Sequence, residues 1–148
     1  MSKRPGTGNR QSSETKATLG RGCSIINPDD LPHTEHSHEL VGAHFGVPIS
    51  LILVHSGPGT GPAMHRHDYA EVFVLEQGTA TFRVEDAQFV AQPGQIVIAP
   101  PGAYHGFTNT GSSQLRLTAI HTAPNFKTEW LAEPDAEWVS PKESSSDG

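Results

Sequence analysis

From Ile49 to Thr122 the chain is a succession of short apolar runs cut by turn residues, and that rhythm limits the fold more than any other feature. Ile49 to His55 is apolar and partly β-branched, bounded by Pro48 and by Ser56-Gly-Pro-Gly59. Glu71 to Glu76 is mostly apolar, Gln77-Gly78 reads as a hairpin turn, Thr79 to Val84 alternates, and Glu85-Asp86 turns into Ala87 to Ala91. Gln92-Pro-Gly94 turns again, Ile96 to Ala99 is a strand stopped by Pro100-Pro-Gly102, and His105 to Asn109 starts another. Leu115 to Thr122 is the last clear strand, with Leu115, Leu117, Ala119 and His121 on one face and Arg116, Thr118 and Ile120 on the other. Many short antiparallel strands with Gly and Pro turns predict an all-β sandwich or barrel, and nothing before Pro124 reads as a helix. Pro124 to Leu131 reads as a short helical turn capping the barrel, with Asn125 as N-cap and Phe126 and Trp130 four apart on one face.

The ends read differently. Residues 1–22 hold almost nothing apolar and residues 133–148 return to Pro, Glu, Ser and Asp, so both are expected to be disordered tails around a barrel at 23–132. Within it, Cys23-Ser-Ile-Ile is a brief edge-strand candidate ended by Asn27-Pro-Asp-Asp, and His33, His36 and His38 read as solvated residues of a connecting loop. At 148 residues there is room for one domain. A net charge of -6 offers no basic face for nucleic acid, and no stretch approaches the roughly 20 apolar residues of a membrane span. One cysteine, Cys23, excludes an internal disulfide, and no apolar run follows Lys3, Arg4 and Arg10, so the expected location is the cytoplasm.

Chemistry concentrates in two segments, Gly59 to Gly78 and Gly94 to Asn109. His65 and His67 are two apart and share one face of an extended strand. Glu71 has the same parity, but a straight strand would carry its Cα roughly 13 Å beyond that of His67, too far for one ion with bonds near 2 Å. Asp68-Tyr69-Ala70 must therefore bend, or Glu71 must stand on the next strand. His105 follows Pro100-Pro-Gly102, a stiff turn able to aim it back at the first segment. Three imidazoles and a carboxylate are the donor set of one divalent transition metal, with Fe, Mn, Co, Ni, Cu and Zn all suited and Fe taken first. Two further residues are candidates for catalytic acid or base, His121 at the end of its strand and Tyr104 beside His105. Phe73, Phe82 and Phe107 are expected to line an apolar substrate pocket.

The two segments resemble the paired motifs of the cupin family. Gly59, His65, His67, Glu71 and Gly78 fill every defined position of the first, and Gly94, Pro100, Gly102, His105 and Asn109 fill the second. The resemblance implies a double-stranded β-helix, or jelly-roll barrel, of six to eight strands, with His65, His67, Glu71 and His105 binding one metal in its mouth. It also implies a homodimer paired through edge strands. The function expected is a metal-dependent enzyme acting on a small organic molecule, with dioxygenation first. The alternatives are a redox-neutral isomerase, lyase or cyclase, and a binding protein without catalysis.

Overall fold

The computed structural model describes residues 16–18 and 22–131. In chain order the strands are β1 (Lys16–Thr18), β2 (Ser24–Ile26), β3 (Ser37–Leu40), β4 (Ser50–Ser56), β5 (His65–Arg66), β6 (Glu71–Gln77), β7 (Ala80–Val84), β8 (Ala87–Ala91), β9 (Ile96–Ala99), β10 (His105–Asn109), β11 (Leu115–His121) and β12 (Glu129–Trp130). They form two antiparallel five-stranded sheets, ordered β3-β4-β11-β6-β9 and β12-β5-β10-β7-β8, plus the small pair β1-β2. The architecture is the expected all-β double-stranded β-helix.

Successive strands mostly change sheet. β6 lies in the first sheet and β7 in the second, so Gln77-Gly78 is a crossover and not the hairpin read from its residues. Gly78 allows it by adopting φ +88° where the chain turns beneath Leu115. The true hairpin is β7-β8, closed at Glu85-Asp86 with Val84 opposite Ala87. Alternation decides what each strand buries: Phe73 and Leu75 of β6, Leu115, Leu117 and Ala119 of β11, and Phe82 of β7 meet between the sheets. Each large apolar side chain buried this way contributes about 1.5–3 kcal/mol, which is what holds the two layers together.

Three expectations need correction. Pro28–Asp30 and Gly42–Phe45 are short 3-10 helices; in the first, the Asn27 side chain accepts the Asp29 N–H at 3.2 Å, a local bond that stretches rich in Asn, Asp and Pro favour. The helical turn at Pro124 to Leu131 is absent. Its backbone groups are used elsewhere: Pro124 O accepts from Ala43 N, Lys127 O faces the His67 ring, and Leu131 N donates to Met64 O, leaving an extended strap that ends in β12. His38, expected in a loop, stands on β3, where its Nδ1 lies 3.1 Å from His55 Nε2. Of the N-terminal segment expected to be disordered, Lys16–Thr18 pairs with β2, while residues 1–15 and 19–21 lie outside the described residues, as does the C-terminal tail.

Gly61 passes close against the backbone of β10. A Cβ there would stand 1.8 Å from the carbonyl oxygen of Phe107, which is backbone and cannot yield. Gly61→Ala is expected to cost about 1–3 kcal/mol through the forced backbone shift. Thermal denaturation followed by circular dichroism checks this, and an unchanged midpoint would refute it.

Candidate metal centre

β5 and β10 run side by side with His65 directly opposite His105, so register alone brings these two imidazoles to a ring separation of 4.5 Å. His67 follows on the same face, and its carbonyl accepts the N–H of Gly102 at 2.7 Å. Gly102 has φ +82°, a conformation that side chains rarely tolerate, which is why the stiff turn can close against the first segment. Glu71 opens β6 in the opposite sheet, so the second of the two readings of Asp68-Tyr69-Ala70 holds: the segment crosses between layers. The four residues are buried, and their ligand atoms all lie within 4.8 Å of one another. Among the described residues they alone form such a group; His33, His36 and His38 do not.

The second nitrogen of each imidazole explains the orientation. His65 Nδ1 lies 2.7 Å from Ala63 O, His67 Nδ1 2.9 Å from Lys127 O, and His105 Nδ1 2.9 Å from Ala103 O. A carbonyl can only accept, so Nδ1 carries the proton of each neutral imidazole, and Nε2 then presents its lone pair inward. Glu71 Oε1 lies 2.9 Å from His105 Nε2 and 3.0 Å from His67 Nε2. A carboxylate also only accepts, so each Nε2 at that distance needs a positive partner between it and Glu71, either a second proton, as the His105–Glu71 hydrogen bond would require, or a cation. His67 Nε2 is moreover fully buried and makes no in-line hydrogen bond despite its proximity to Oε1. A divalent ion would satisfy both conditions, so the residues present fit a metal.

Electrostatics agree. Burial pushes the Glu71 carboxyl up, but contacts with His105, His121 and His67 outweigh it and hold it well below the usual carboxylate range. Burial, reinforced by His105, lowers His65 to about 4, so its imidazole is neutral at neutral pH, the form a metal requires. His67 is different: burial lowers it, yet Glu71 and the Lys127 carbonyl together raise it above its ordinary value. An incoming ion must displace that proton. Metal affinity is therefore expected to keep rising with pH beyond 6.5, with proton release on binding. Titration calorimetry in buffers of different ionisation enthalpy reads this directly, and a pH-independent affinity would contradict it.

The other predicted site residues divide. His121 is 3 % exposed and is the register partner of Glu71 on β11, with Nε2 3.0 Å from Glu71 Oε2. Tyr104 stands just before β10, with its ring under the Arg66 guanidinium at 4.6 Å. Phe73, Phe82 and Phe107 pack on one another in the core with ring separations of 5.0–5.9 Å, and Phe73 also meets the His105 ring at 5.9 Å. Sequence reasoning missed Tyr69, whose hydroxyl is 2.7 Å from His121 Nδ1 and whose ring stacks on His67. It also missed the strap. Trp130 lies 4.9 Å from the His65 ring and Phe126 lies 4.8 Å from that of His121, while Glu129 and Arg66 form a paired ion contact at 3.1 Å that fastens β12 to β5.

Residues 52–121 match the cupin domain family, and they contain all four converging residues. The chain carries a cupin domain. This cupin is 28 % identical over 102 residues to the 5-nitrosalicylic acid 1,2-dioxygenase of a Bradyrhizobium species, an alignment covering 68 % of this chain and 46 % of that protein. The chain thus spans about half the length of that relative. Among solved structures, a Bacillus subtilis oxalate decarboxylase studied for its Mn(II) centres superposes with a TM-score of 0.65 at 21 % identity, covering 73 % of the cupin chain and 32 % of the other. A conserved protein with a double-stranded β-helix domain from Klebsiella pneumoniae superposes with a TM-score of 0.60 at 19 % identity, covering 74 % and 97 %. Both likenesses concern the fold. No helix among the described residues is long and apolar enough to cross a membrane.

Proposed function

We propose that this cupin is a metal-dependent dioxygenase of a small aromatic or apolar substrate, with His65, His67, Glu71 and His105 holding one ion, Fe²⁺ first among the candidates. The observation that carries the metal reading is the set of three Nδ1 atoms tied to carbonyls, which leaves three Nε2 lone pairs and one carboxylate converging in a buried space. A redox-active ion bound there supplies electron exchange between substrate and dioxygen. The protein's own residues do the rest. The sheet interior excludes water, and Trp130 and Phe126 set aromatic surfaces beside the ligand rings of His65 and the ring of His121, where a planar substrate would stack. The 5-nitrosalicylic acid dioxygenase among the relatives supports an aromatic acid as the first substrate class to test. In dioxygenation both oxygen atoms enter the product and the electrons come from the substrate, so no further reductant is required.

The test is an oxygen electrode with Fe²⁺-loaded protein and a panel of hydroxybenzoic acids, diketones and thiols. Oxygen uptake matched to substrate loss is expected. Equal turnover without oxygen, or with Zn²⁺ in place of iron, would overturn the oxygenase reading in favour of Lewis-acid chemistry.

The cupin is also proposed to act as a homodimer. Edge strand β9 turns Ile96 and Ile98 outward, each 61 % exposed, beside Val72 and Val74 of β6, and a second copy is the partner that such a self-matching apolar face fits. Ile96→Glu with Ile98→Glu is expected to convert a dimer to a monomer in light scattering after gel filtration. A monomeric wild-type protein would refute the proposal.

A further inference from the structure

The four inward-facing histidines of this site do not share one protonation pattern. His65, His67 and His105 each give Nδ1 to a carbonyl, but His121 gives Nδ1 to the hydroxyl of Tyr69 at 2.7 Å. A hydroxyl, unlike a carbonyl, can donate. The Tyr69 oxygen also lies 3.4 Å from the Lys127 N–H, which occupies one of its lone pairs and turns the phenolic hydrogen toward His121. His121 then accepts at Nδ1 and carries its proton on Nε2, and that atom stands 3.0 Å from Glu71 Oε2. The opposite tautomer would set a lone pair against the carboxylate in a nearly water-free space, since His121 and Glu71 are each 3 % exposed. Like His67 Nε2, His121 Nε2 is buried without a well-formed hydrogen bond, so its hold on Oε2 is the attraction between its N–H and the negative oxygen 3.0 Å away.

The two Glu71 oxygens therefore have different company. Oε1 faces His67 and His105, and Oε2 faces His121. We propose that Tyr69 and His121 are positioning residues: Tyr69 fixes His121 as an Nε2–H donor, and His121 holds Oε2 back so that Glu71 offers the metal one oxygen and leaves its coordination open. This rests on the metal reading above. Tyr69 can do so because its ring is itself fixed, stacked on the His67 imidazole at 4.9 Å and 10°.

Co²⁺ is the probe, since its visible absorption weakens as coordination number rises. Tyr69→Phe and His121→Ala are each expected to release Oε2 to the ion and to lower that absorption alike, and the double variant should add no further loss. His121→Gln, whose amide can donate without help from Tyr69, should restore the wild-type spectrum, and Tyr69→Phe placed on it should have no effect. Melting temperatures taken alongside identify any variant that has merely lost its fold, and the His121→Gln pair then carries the test. Independent, additive changes, or spectra that stay as in the wild type while Co²⁺ binds, would overturn the proposal. A wild-type protein that binds no Co²⁺ would overturn the metal reading and this one with it, so the two failures are distinguishable.

Discussion

Replacing His65 and His67 together with alanine is expected to abolish metal binding. The two imidazoles are half of the donor set, and their removal leaves Glu71 and His105 as the two remaining donors of the four. Two ligands do not retain a divalent transition metal against water at the concentrations used in purification. The fold should survive, because both side chains lie at one end of the barrel and outside the apolar cluster that joins its layers. Elemental analysis of protein purified without added metal reads the outcome. Unchanged metal content with intact secondary structure would move the site elsewhere, and the His33, His38 and His55 neighbourhood, where His38 and His55 nitrogens approach to 3.1 Å, would be the next place to look.

Phe82→Ala is expected to cost about 3–5 kcal/mol, a large share of the roughly 5–15 kcal/mol that stabilises a domain of this size. Phe82 is fully buried and meets three other rings, those of Phe73, Phe89 and Phe107, at 5.0–6.0 Å, so its loss opens a cavity that rigid neighbours on two sheets cannot fill. Denaturant unfolding measures the loss. A stability change under about 1 kcal/mol with a weakened substrate KM would restore the pocket role that the sequence suggested for this residue.

These residues show what was legible in the chain and what was not. The strand rhythm was readable because alternation and turn chemistry are local, and β11 buries the face its parity predicted. His65, His67 and His105 were readable for the same reason, and simple reach was enough to show that Glu71 could not continue their strand. Sheet membership was not readable: Gln77-Gly78 has hairpin residues, yet which layer accepts the next strand is settled by distant pairings. The strap misled because Phe126 and Trp130 happen to have helical spacing, while the acceptors and donors that hold it extended belong to Ala43, Met64 and His67. Tyr69 and His121 meet across 52 residues of chain, and no spacing rule connects them.

Anomalous X-ray diffraction from crystals of the protein purified without added metal tests the central claim most directly. One peak per chain is expected between the sheets, within about 2.0–2.2 Å of Nε2 of His65, His67 and His105 and of Oε1 of Glu71, with the absorption edge naming the element. A peak coordinated by His33, His38 or His55, or no peak in a crystal whose four residues stand as described, would contradict it.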